Sequence, residues 1–268
     1  MINIKFKDFW IFIFIAFFTN IQANQNDKSI IGSILDTCSR STPVYLWEKY
    51  AVVPMSRPII AFTGLGEVLA SEEYQNLGKE AQDALGIPQD KQIPIRKIAP
   101  TSVMIEAAPV AFSMPDAIYF NEKNLMDKPI GVKRSAAFVE AVHKKYNHAG
   151  AQSILGYGSL IMMSILMCKA IRSEQSKLIK SLAFIGSIFG LCIITKGYLR
   201  YSIYRAEVEG HYATKCYLCV QESAAFRPYL EQIGSINKSY MLNKIALEEI
   251  AQDLKNQNQL CLCHKNNQ

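Results

Sequence analysis

The chain has 268 residues, of which 50% are hydrophobic and 19% are charged, and its formal net charge is +6 at pH 7. A chain of this length and composition can bury a full hydrophobic core, and it is apolar for a globular protein. The basic residues are spread over the sequence without an aromatic-interleaved basic stripe, which argues against nucleic acid as a partner.

The N-terminal residues 1–23 have the pattern of an export signal. Lys5 and Lys7 precede an apolar run at residues 9–18, and a polar step then leads to Ala23. This pattern predicts a signal peptide that is cleaved after Ala23. The apolar run is short for a membrane span, and an uncleaved anchor is the alternative. In either case the remainder of the chain is expected to be exported.

Residues 24–70 are predicted to form an N-terminal extension. Its polar residues and prolines favour loop with short extended pieces up to Pro58, and the apolar residues 59–62 favour a strand. Residues 71–85 begin with a serine and two acidic residues and repeat apolar residues at helical spacing. This segment is predicted to be a helix that stops at Gly86.

Three short segments with the composition of strands follow, at residues 91–98, 109–112 and 117–120. The sequence Met-Pro-Asp at residues 114–116 is typical of a hairpin turn between the second and third segments. Residues 133–147 are predicted to form a helix. A small mixed sheet followed by this helix predicts a compact α+β domain that is mainly helical.

Two apolar runs occupy residues 151–168 and 181–198, and a basic segment separates them. Each run is slightly shorter than the roughly 20 residues of a straight membrane span. Two transmembrane helices with a basic cytoplasmic loop are the favoured interpretation, in agreement with an exported N-terminal part. A helical hairpin buried inside a larger globule is the alternative. Further helices are predicted at residues 201–221 and 239–254, and a polar tail follows from residue 256.

The seven cysteines divide by position. Cys168 and Cys192 lie in the apolar runs, where cysteine acts as a small hydrophobic residue. The others form an odd set, so at least one must stay unpaired or bond elsewhere. Four of these five cysteines, together with His264, have a spacing that resembles a zinc site in outline. In an exported chain, however, cysteines that form disulfide bonds or are partly buried are the favoured interpretation. The zinc-like part is Cys216, Cys219, Cys261, Cys263 and His264, and Cys38 completes the odd set.

The sequence V-E-A-V-H at residues 139–143 differs by one residue from H-E-x-x-H, which places two histidine ligands and a general base on one helical face. A zinc peptidase needs three protein ligands, an open position for water and a carboxylate that accepts the water's proton. Glu140 is placed as that base, and His143 as the second ligand. Glu207, in the sequence R-A-E-V-E-G-H, offers a carboxylate as the third. His148 is predicted to lie on a different side of the helix from His143 and to be structural.

Further motifs flank the V-E-A-V-H helix in a fixed order. They are L-G-I-P at residues 85–88, A-P-V-A-F at 108–112, A-I-Y-F-N-E-K-N-L at 117–125, the two apolar helices, and R-x-E-x-E-G-H at 205–211. This order resembles that of the membrane-associated gluzincin peptidases, which include the CAAX prenyl proteases and the heat-shock membrane proteases. The resemblance covers residues 71–220 and depends on order and spacing more than on any one motif.

The resemblance implies a zincin-like peptidase domain over residues 71–234, interrupted by a two-helix hydrophobic hairpin. A C-terminal helix and polar tail would follow at residues 235–268. It also implies association with the membrane on the periplasmic or envelope side, and substrates among membrane or envelope proteins.

The same resemblance implies a metalloendopeptidase with zinc as its cofactor. Residue by residue, Glu140 looks like the general base, His143 like the second zinc ligand and Glu207 like the third. Val139 stands at the position of the first ligand, and His211 at that of the aspartate in the family's E-x-x-x-D. Valine has no lone pair, so a pseudo-protease that keeps the fold is the favoured interpretation.

Two alternatives remain open. His211 lies four residues after Glu207 on the same helical face, so these two residues and His143 could form a rebuilt zinc site. Glu140 would then still serve as the base of an active zinc protease. The other alternative is a non-enzymatic interaction protein of the envelope, in which Val139 packs in an ordinary core.

Overall fold

The structure is a computed structural model that describes residues 36–63, 65, 68–99, 110–172, 177–232 and 241–257. Most of these residues are helical, and the strands among them form one small sheet. The prediction of an α+β fold that is mainly helical is therefore confirmed. The predicted signal peptide at residues 1–23 and the cysteines of the tail lie outside the described residues.

The described helices and strands follow one another along the chain in three groups. The N-terminal group consists of α1 (Thr42–Trp47), a π-helical turn (Glu48–Val52), α2 (Val53–Thr63) and α3 (Glu72–Ala84). A 3-10 turn (Gln89–Lys91) leads to the strands β1 (Ile95–Lys97), β2 (Ala111–Met114) and β3 (Ala117–Phe120). The C-terminal group consists of α4 (Glu122–Leu125), α5 (Ile130–Lys145), α6 (His148–Arg172), α7 (Lys177–Ala213), α8 (Tyr217–Gln232) and α9 (Lys244–Asn256).

Helix α3 confirms the helix predicted over residues 71–85. Glu72 and Glu73 lie in its first turn, where carboxylates interact favourably with the positive end of the helix dipole. Gly86 follows its end with a φ of +67°, a conformation that glycine adopts without strain. The buried face of α3 packs against β1 and α5.

The sheet has the strand order β1-β3-β2, with β3 parallel to β1 and antiparallel to β2. Pro115 and Asp116 alone connect β2 to β3, so the hairpin predicted at residues 114–116 is confirmed. All four residues of β3 are buried, as expected for a central strand. Strand β2 therefore forms an edge of the described sheet.

Helix α5 lies at the centre of the main core, because it packs against α3, β2, α7 and α8. Its side chains Ala137, Phe138, Ala141 and Val142 are fully buried. The helix predicted over residues 133–147 is thus confirmed, with a start at Ile130. Burial of so many apolar groups supplies the largest favourable contribution to folding.

The prediction of loop and strand in the N-terminal extension is wrong for the part that the structure describes. Residues 42–63 form α1, the π-helical turn and α2. Pro43 lies in the first turn of α1, where a proline is tolerated because its missing N–H would have no helical partner. Buried Glu48 then accepts hydrogen bonds from Lys144 Nζ and from the backbone N–H of Gly150. These long-range contacts join the N-terminal helical segment to α5 and α6.

The prediction of two transmembrane helices is also wrong. No helix in the described part of the chain is long and apolar enough to cross a membrane. Helix α6 begins at buried His148, and the Gln152 amide in its second turn donates to the Ser202 hydroxyl of α7. Glycine and serine residues then interrupt the apolar sequence of α6. The two apolar segments belong instead to the packed pair α6 and α7.

The helix boundaries in the C-terminal half differ from the prediction. One continuous helix of 37 residues, α7, contains both the second apolar run and the first part of the helix predicted over residues 201–221. Lys215 adopts a φ of +49° between α7 and α8, which separates the two helices. The helix predicted over residues 239–254 is present as α9, but it begins only at Lys244, where the Asn243 side chain caps its first turn. The domain boundaries at residues 70 and 234 stay predictions.

Candidate functional site

A cavity of about 300 Å³ lies at the junction of β2, α5, α7 and α8. Helix α5 contributes Val139, Glu140 and His143 to its lining, and α7 contributes Glu207 and His211. The three residues of α5 share one side of the helix, because positions three and four apart lie above one another. The structure thus brings all the predicted site residues to one cavity.

The position of the first zinc ligand in the family resemblance is occupied by a residue that packs in the core. Val139 is 9% exposed and belongs to the main hydrophobic cluster. A Cβ atom on Gly210 of α7 would lie 2.7 Å from Val139 Cα and 2.9 Å from Val139 Cγ2. Such distances are shorter than real Cβ contacts, so glycine allows α5 and α7 to meet beside the cavity.

Glu207 and Arg227 form a buried ion pair in the cavity. Nη2 of Arg227 donates to Oε2 of Glu207 at 2.6 Å, and each side chain is 5% exposed. A buried carboxylate is strongly disfavoured without a counter-charge, and the guanidinium of α8 provides that charge. The carboxylate that would be the third zinc ligand is therefore already neutralised by a protein cation.

His211 is oriented by the backbone of its own helix. Its Nδ1 lies 2.6 Å from the carbonyl oxygen of Glu207, so Nδ1 carries the proton and donates it. The same Nδ1 is 3.9 Å from Oε2 of Glu207. Burial lowers the pKa of His211, and Arg227 acts in the same direction, whereas Glu207 opposes them. The imidazole is therefore neutral at physiological pH, with Nδ1 engaged.

His143 is paired with a second histidine. Nδ1 of His143 lies 2.8 Å from Nδ1 of His148, so one of these nitrogens donates to the other. The prediction that His148 lies away from His143 is wrong, because Asn147 has a φ of +46° and turns the chain between α5 and α6. The His148 ring also stacks on Tyr146 at 5.6 Å between centroids and contacts Tyr198 edge-on.

Both members of this histidine pair favour the neutral form. Burial lowers the pKa of His143 to about 4, although the negative charge of Glu207 opposes the shift. Burial likewise places the pKa of His148 well below its ordinary value, and the neighbouring His143 and Arg205 add to this effect. At neutral pH the pair therefore contributes hydrogen-bonding groups to the cavity and no charge.

Glu140 connects helix α5 to the edge strand. Ser113 on β2 lines the same cavity, and hydrogen bonding to it favours the charged form of the Glu140 carboxyl group. Burial raises the pKa of Glu140 to about 7; the hydrogen bonds from Ser113 oppose this shift, and Glu207 adds to it. A carboxyl group with such a pKa can either hold or release a proton near neutrality.

The residues present do not fit a zinc ion. Val139 has no donor atom, and the positive charge of Arg227 at Oε2 of Glu207 disfavours a cation at that carboxylate. Among the described residues, no group of three histidine, cysteine, aspartate or glutamate side chains is arranged to hold a metal ion. Tetrahedral zinc requires at least three protein ligands.

The cavity contains functional groups that the sequence patterns did not single out. Arg227 and Ser223 line it from α8, and buried Glu48, paired with Lys144, lines it from the N-terminal part. Charged residues are rarely buried without a partner, but the spacing of residues in the sequence does not predict which partner each will have. The ion pairs of Arg227 and Glu48 are therefore visible only in the folded chain.

Cys216, just before α8, and Cys219, within α8, do not act together as a pair of metal ligands. Cys216 is disulfide-bonded, whereas Cys219 is a buried thiol. Nη1 of Arg134 lies 3.8 Å from Sγ of Cys219. A disulfide sulfur is not a thiolate ligand, so the disulfide alternative holds for Cys216. The tail residues of the zinc-like pattern lie outside the described residues.

Comparisons of the chain with protein-family models, with curated proteins and with solved structures find no match.

Proposed function

We propose that this chain is a metallopeptidase-like protein of the gluzincin type that holds an extended polypeptide in its cavity without hydrolysing it. The order of elements supports this function: a helix, a hairpin, the V-E-A-V-H helix, a helical pair and Glu207 follow one another as in that family. Glu140, His143 and Glu207 line one cavity, as a common ancestry with peptidases requires.

The ion pair between Glu207 and Arg227 is the observation that supports the absence of hydrolysis in the proposed function. Zinc in a peptidase supplies positive charge that activates water and polarises the scissile carbonyl group. Here a guanidinium occupies one oxygen of the Glu207 carboxylate at 2.6 Å, and it has no open coordination position for water. Val139 removes a ligand at the opposite helix. Together these two changes leave the cavity able to bind and unable to assemble a zinc-hydroxide nucleophile.

Strand β2 supports the binding part. Residues 110–115 all line the cavity, and β2 has β3 as its one neighbouring strand among the described residues. An edge strand offers backbone N–H and C=O groups that can pair with an added strand. An extended polypeptide that lies along β2 would place its side chains alternately toward the cavity.

The test combines metal analysis with binding and cleavage. Purified protein is expected to contain far less than one zinc per chain by elemental analysis, and His143→Ala and His211→Ala should not change that content. Fluorescein-labelled casein is expected to bind, as measured by anisotropy, and to remain uncleaved. Stoichiometric zinc that both variants lose, together with casein cleavage, would instead support the active protease with His143, Glu207 and His211 as ligands.

A matched pair of peptide probes tests the binding mode. A mixture of labelled hexapeptides is compared with the same mixture N-methylated at alternate residues, which removes the backbone donors needed for strand pairing. Binding of the first mixture alone supports strand addition to β2. Equal binding of both mixtures contradicts it, and failure of both mixtures and of casein contradicts the proposed function.

A further inference from the structure

We infer that Arg227 and Ser223 form a carboxylate-binding subsite in the cavity. The carboxylate comes either from the C-terminus of a polypeptide or from a free organic acid. For its first source this inference rests on the proposed function, whereas the second source does not require it.

Arg227 keeps two hydrogen-bond donors that no protein group satisfies in the described part of the chain. Nη2 is bonded to Glu207, but Nε and Nη1 are buried and have no hydrogen-bond partner. The residue is 4% exposed and lines the cavity. Buried polar groups in folded proteins nearly always have a partner, so two unsatisfied donors on one cation indicate a missing acceptor.

Ser223 adds a third donor on the same side of α8. It precedes Arg227 by four residues, one helical turn, and it also lines the cavity. Its Oγ is buried and has no hydrogen-bond partner among the described residues. Two buried polar side chains therefore present unsatisfied groups to the same cavity.

A carboxylate matches this arrangement better than the other common polar ligands. A metal cation is disfavoured beside the Arg227 guanidinium, and a single carbonyl oxygen has too few lone pairs for three donors. A phosphate dianion would bring two further negative charges next to the Glu207 carboxylate, whose own charge already balances that of Arg227. A carboxylate has one charge and two acceptor oxygens, which arginine binds well.

The second cation of the cavity does not compete for this role. Lys144 lines the cavity, but its Nζ is bonded to buried Glu48, which also accepts the N–H of Gly150 at 3.0 Å. The Lys144 charge is therefore balanced within the protein. Arg227 is the lining cation that retains donors for a ligand.

The experiment compares labelled hexapeptide mixtures that differ only in a free C-terminal carboxylate or a C-terminal amide. The free acids are expected to bind about tenfold more tightly in anisotropy titrations, because an amide replaces acceptor lone pairs with donors. In parallel, propionate and propionamide are compared by thermal shift at equal ionic strength. Propionate is expected to raise the melting temperature, and propionamide is expected to leave it unchanged.

Three variants locate the effect. Ser223→Ala is expected to fold normally, since its hydroxyl has no protein partner, and to reduce the preference for the free acid. Arg227→Gln is combined with Glu207→Gln, so that no buried carboxylate is left alone, and should abolish the preference. Ser135→Ala is the control, because Ser135 also lines the cavity but its hydroxyl donates to the Cys219 carbonyl group. This control should keep the preference unchanged.

Each outcome separates the subsite from the proposed function. A free-acid preference that falls in the Ser223 and Arg227 variants and not in Ser135→Ala supports a subsite for polypeptide C-termini. Stabilisation by propionate without peptide binding supports a subsite for free acids and contradicts the polypeptide-binding function. Equal binding of acid and amide peptides without a propionate effect overturns the subsite and leaves the proposed function standing. No binding by any probe overturns both.

Discussion

The backbone of Val139 lies directly against Gly210, so that helices α5 and α7 meet without a side chain between them. A Cβ on Gly210 would be 2.7 Å from Val139 Cα and 2.8 Å from the Val139 nitrogen. Both atoms belong to the backbone, which cannot give way as a flexible side chain can. This backbone contact therefore sets how closely the two helices that carry the candidate site residues approach each other at this point.

Gly210→Ala is expected to destabilise the protein. The added methyl group must push α5 and α7 apart, which costs about 1–3 kcal/mol in a well-packed core, partly offset by the better helix propensity of alanine. The free energy of unfolding, measured by urea denaturation, should fall by about 2 kcal/mol. The affinity for labelled casein should fall as well, because the cavity lies between the displaced helices.

Gly156→Ala on α6 is the matched control for this substitution. Gly156 is also within a helix, but a Cβ there has no described atom within 4 Å. Alanine should stabilise the helix at this position by about 0.5–1 kcal/mol. Equal effects of both substitutions would show that the contact with Val139 does not constrain position 210.

Val139→His restores the sequence H-E-x-x-H at residues 139–143. The introduced imidazole would lie on the same helical face as His143, and both would face the carboxylate of Glu207 in the cavity. Zinc affinity, measured by competition with a chromogenic chelator, is expected to rise about tenfold or more over that of the unmodified protein. Arg227 still competes for Glu207, so the affinity should stay below that of a natural zinc peptidase.

The double variant Val139→His with His143→Ala is the control for zinc binding. It has the new imidazole but lacks the second ligand, so its zinc affinity should return to that of the unmodified protein. If Val139→His folds and gains no affinity, the helix is not a degenerate zinc-binding helix. The family resemblance would then be accidental.

Local sequence patterns were sufficient where conformation depends on near neighbours. The acidic start of α3 and Gly86 at its end formed as predicted, as did the Pro115-Asp116 turn between β2 and β3. Helical spacing also placed Glu140 and His143 on the side of α5 that faces the cavity. Periodicity and turn chemistry act over a few residues, so a single sequence contains them.

Contacts between distant residues were beyond the reach of those patterns. Glu48 is held in a helical segment by Lys144, which is 96 positions away. Arg227 finds Glu207 across 20 positions without any motif that joins them. The apolar runs were only slightly shorter than membrane spans, but their conformation and packing depend on the rest of the fold. Such pairings are decided by tertiary packing and therefore need the structure.

Glu48→Gln is expected to be strongly destabilising. Glu48 is 2% exposed and supplies the counter-charge of Lys144, whose side chain is 9% exposed. Removing one partner leaves a buried charge without compensation, which costs about 3–5 kcal/mol. Urea denaturation should show this loss in the free energy of unfolding. The double variant with Lys144→Met should recover a large part of it, since no unpaired charge remains.

Lys244→Ala tests whether the loss of any ion pair lowers the free energy of unfolding by this amount. Lys244 Nζ lies 3.6 Å from Glu248 Oε1 on α9, and both side chains are 53% exposed. Solvent screens such a pair, so the free energy of unfolding should change by no more than about 0.5 kcal/mol. A small effect of Glu48→Gln, similar to that of Lys244→Ala, would contradict the buried ion pair as a support of the cavity.

Glu140→Gln is expected to stabilise the protein at alkaline pH and not at acidic pH. Burial raises the pKa of Glu140 from 4.5 to about 7, so the folded state holds a proton that the unfolded state releases between these values. The unmodified protein therefore loses stability as pH rises from 4.5 to 7, and this penalty is fully present above pH 7. Glutamine is neutral at every pH, and its amide oxygen can still accept a hydrogen bond from Ser113.

The free energy of unfolding of both proteins should be measured near pH 4.5 and at about pH 8. The variant should be more stable at the higher pH, by up to about 3 kcal/mol, and equal at the lower one. The lowered pKa of His143 has the opposite effect, because it reduces the stability of the fold as pH falls from 6.5 toward 4. His143 is present in both proteins, so its contribution cancels in the comparison. Glu248→Gln removes an exposed carboxylate and should change stability little at either pH. A Glu140→Gln effect that does not vary with pH would mean that the pKa of the carboxyl group is not raised in the cavity, so that hydrogen bonding to Ser113 balances its desolvation.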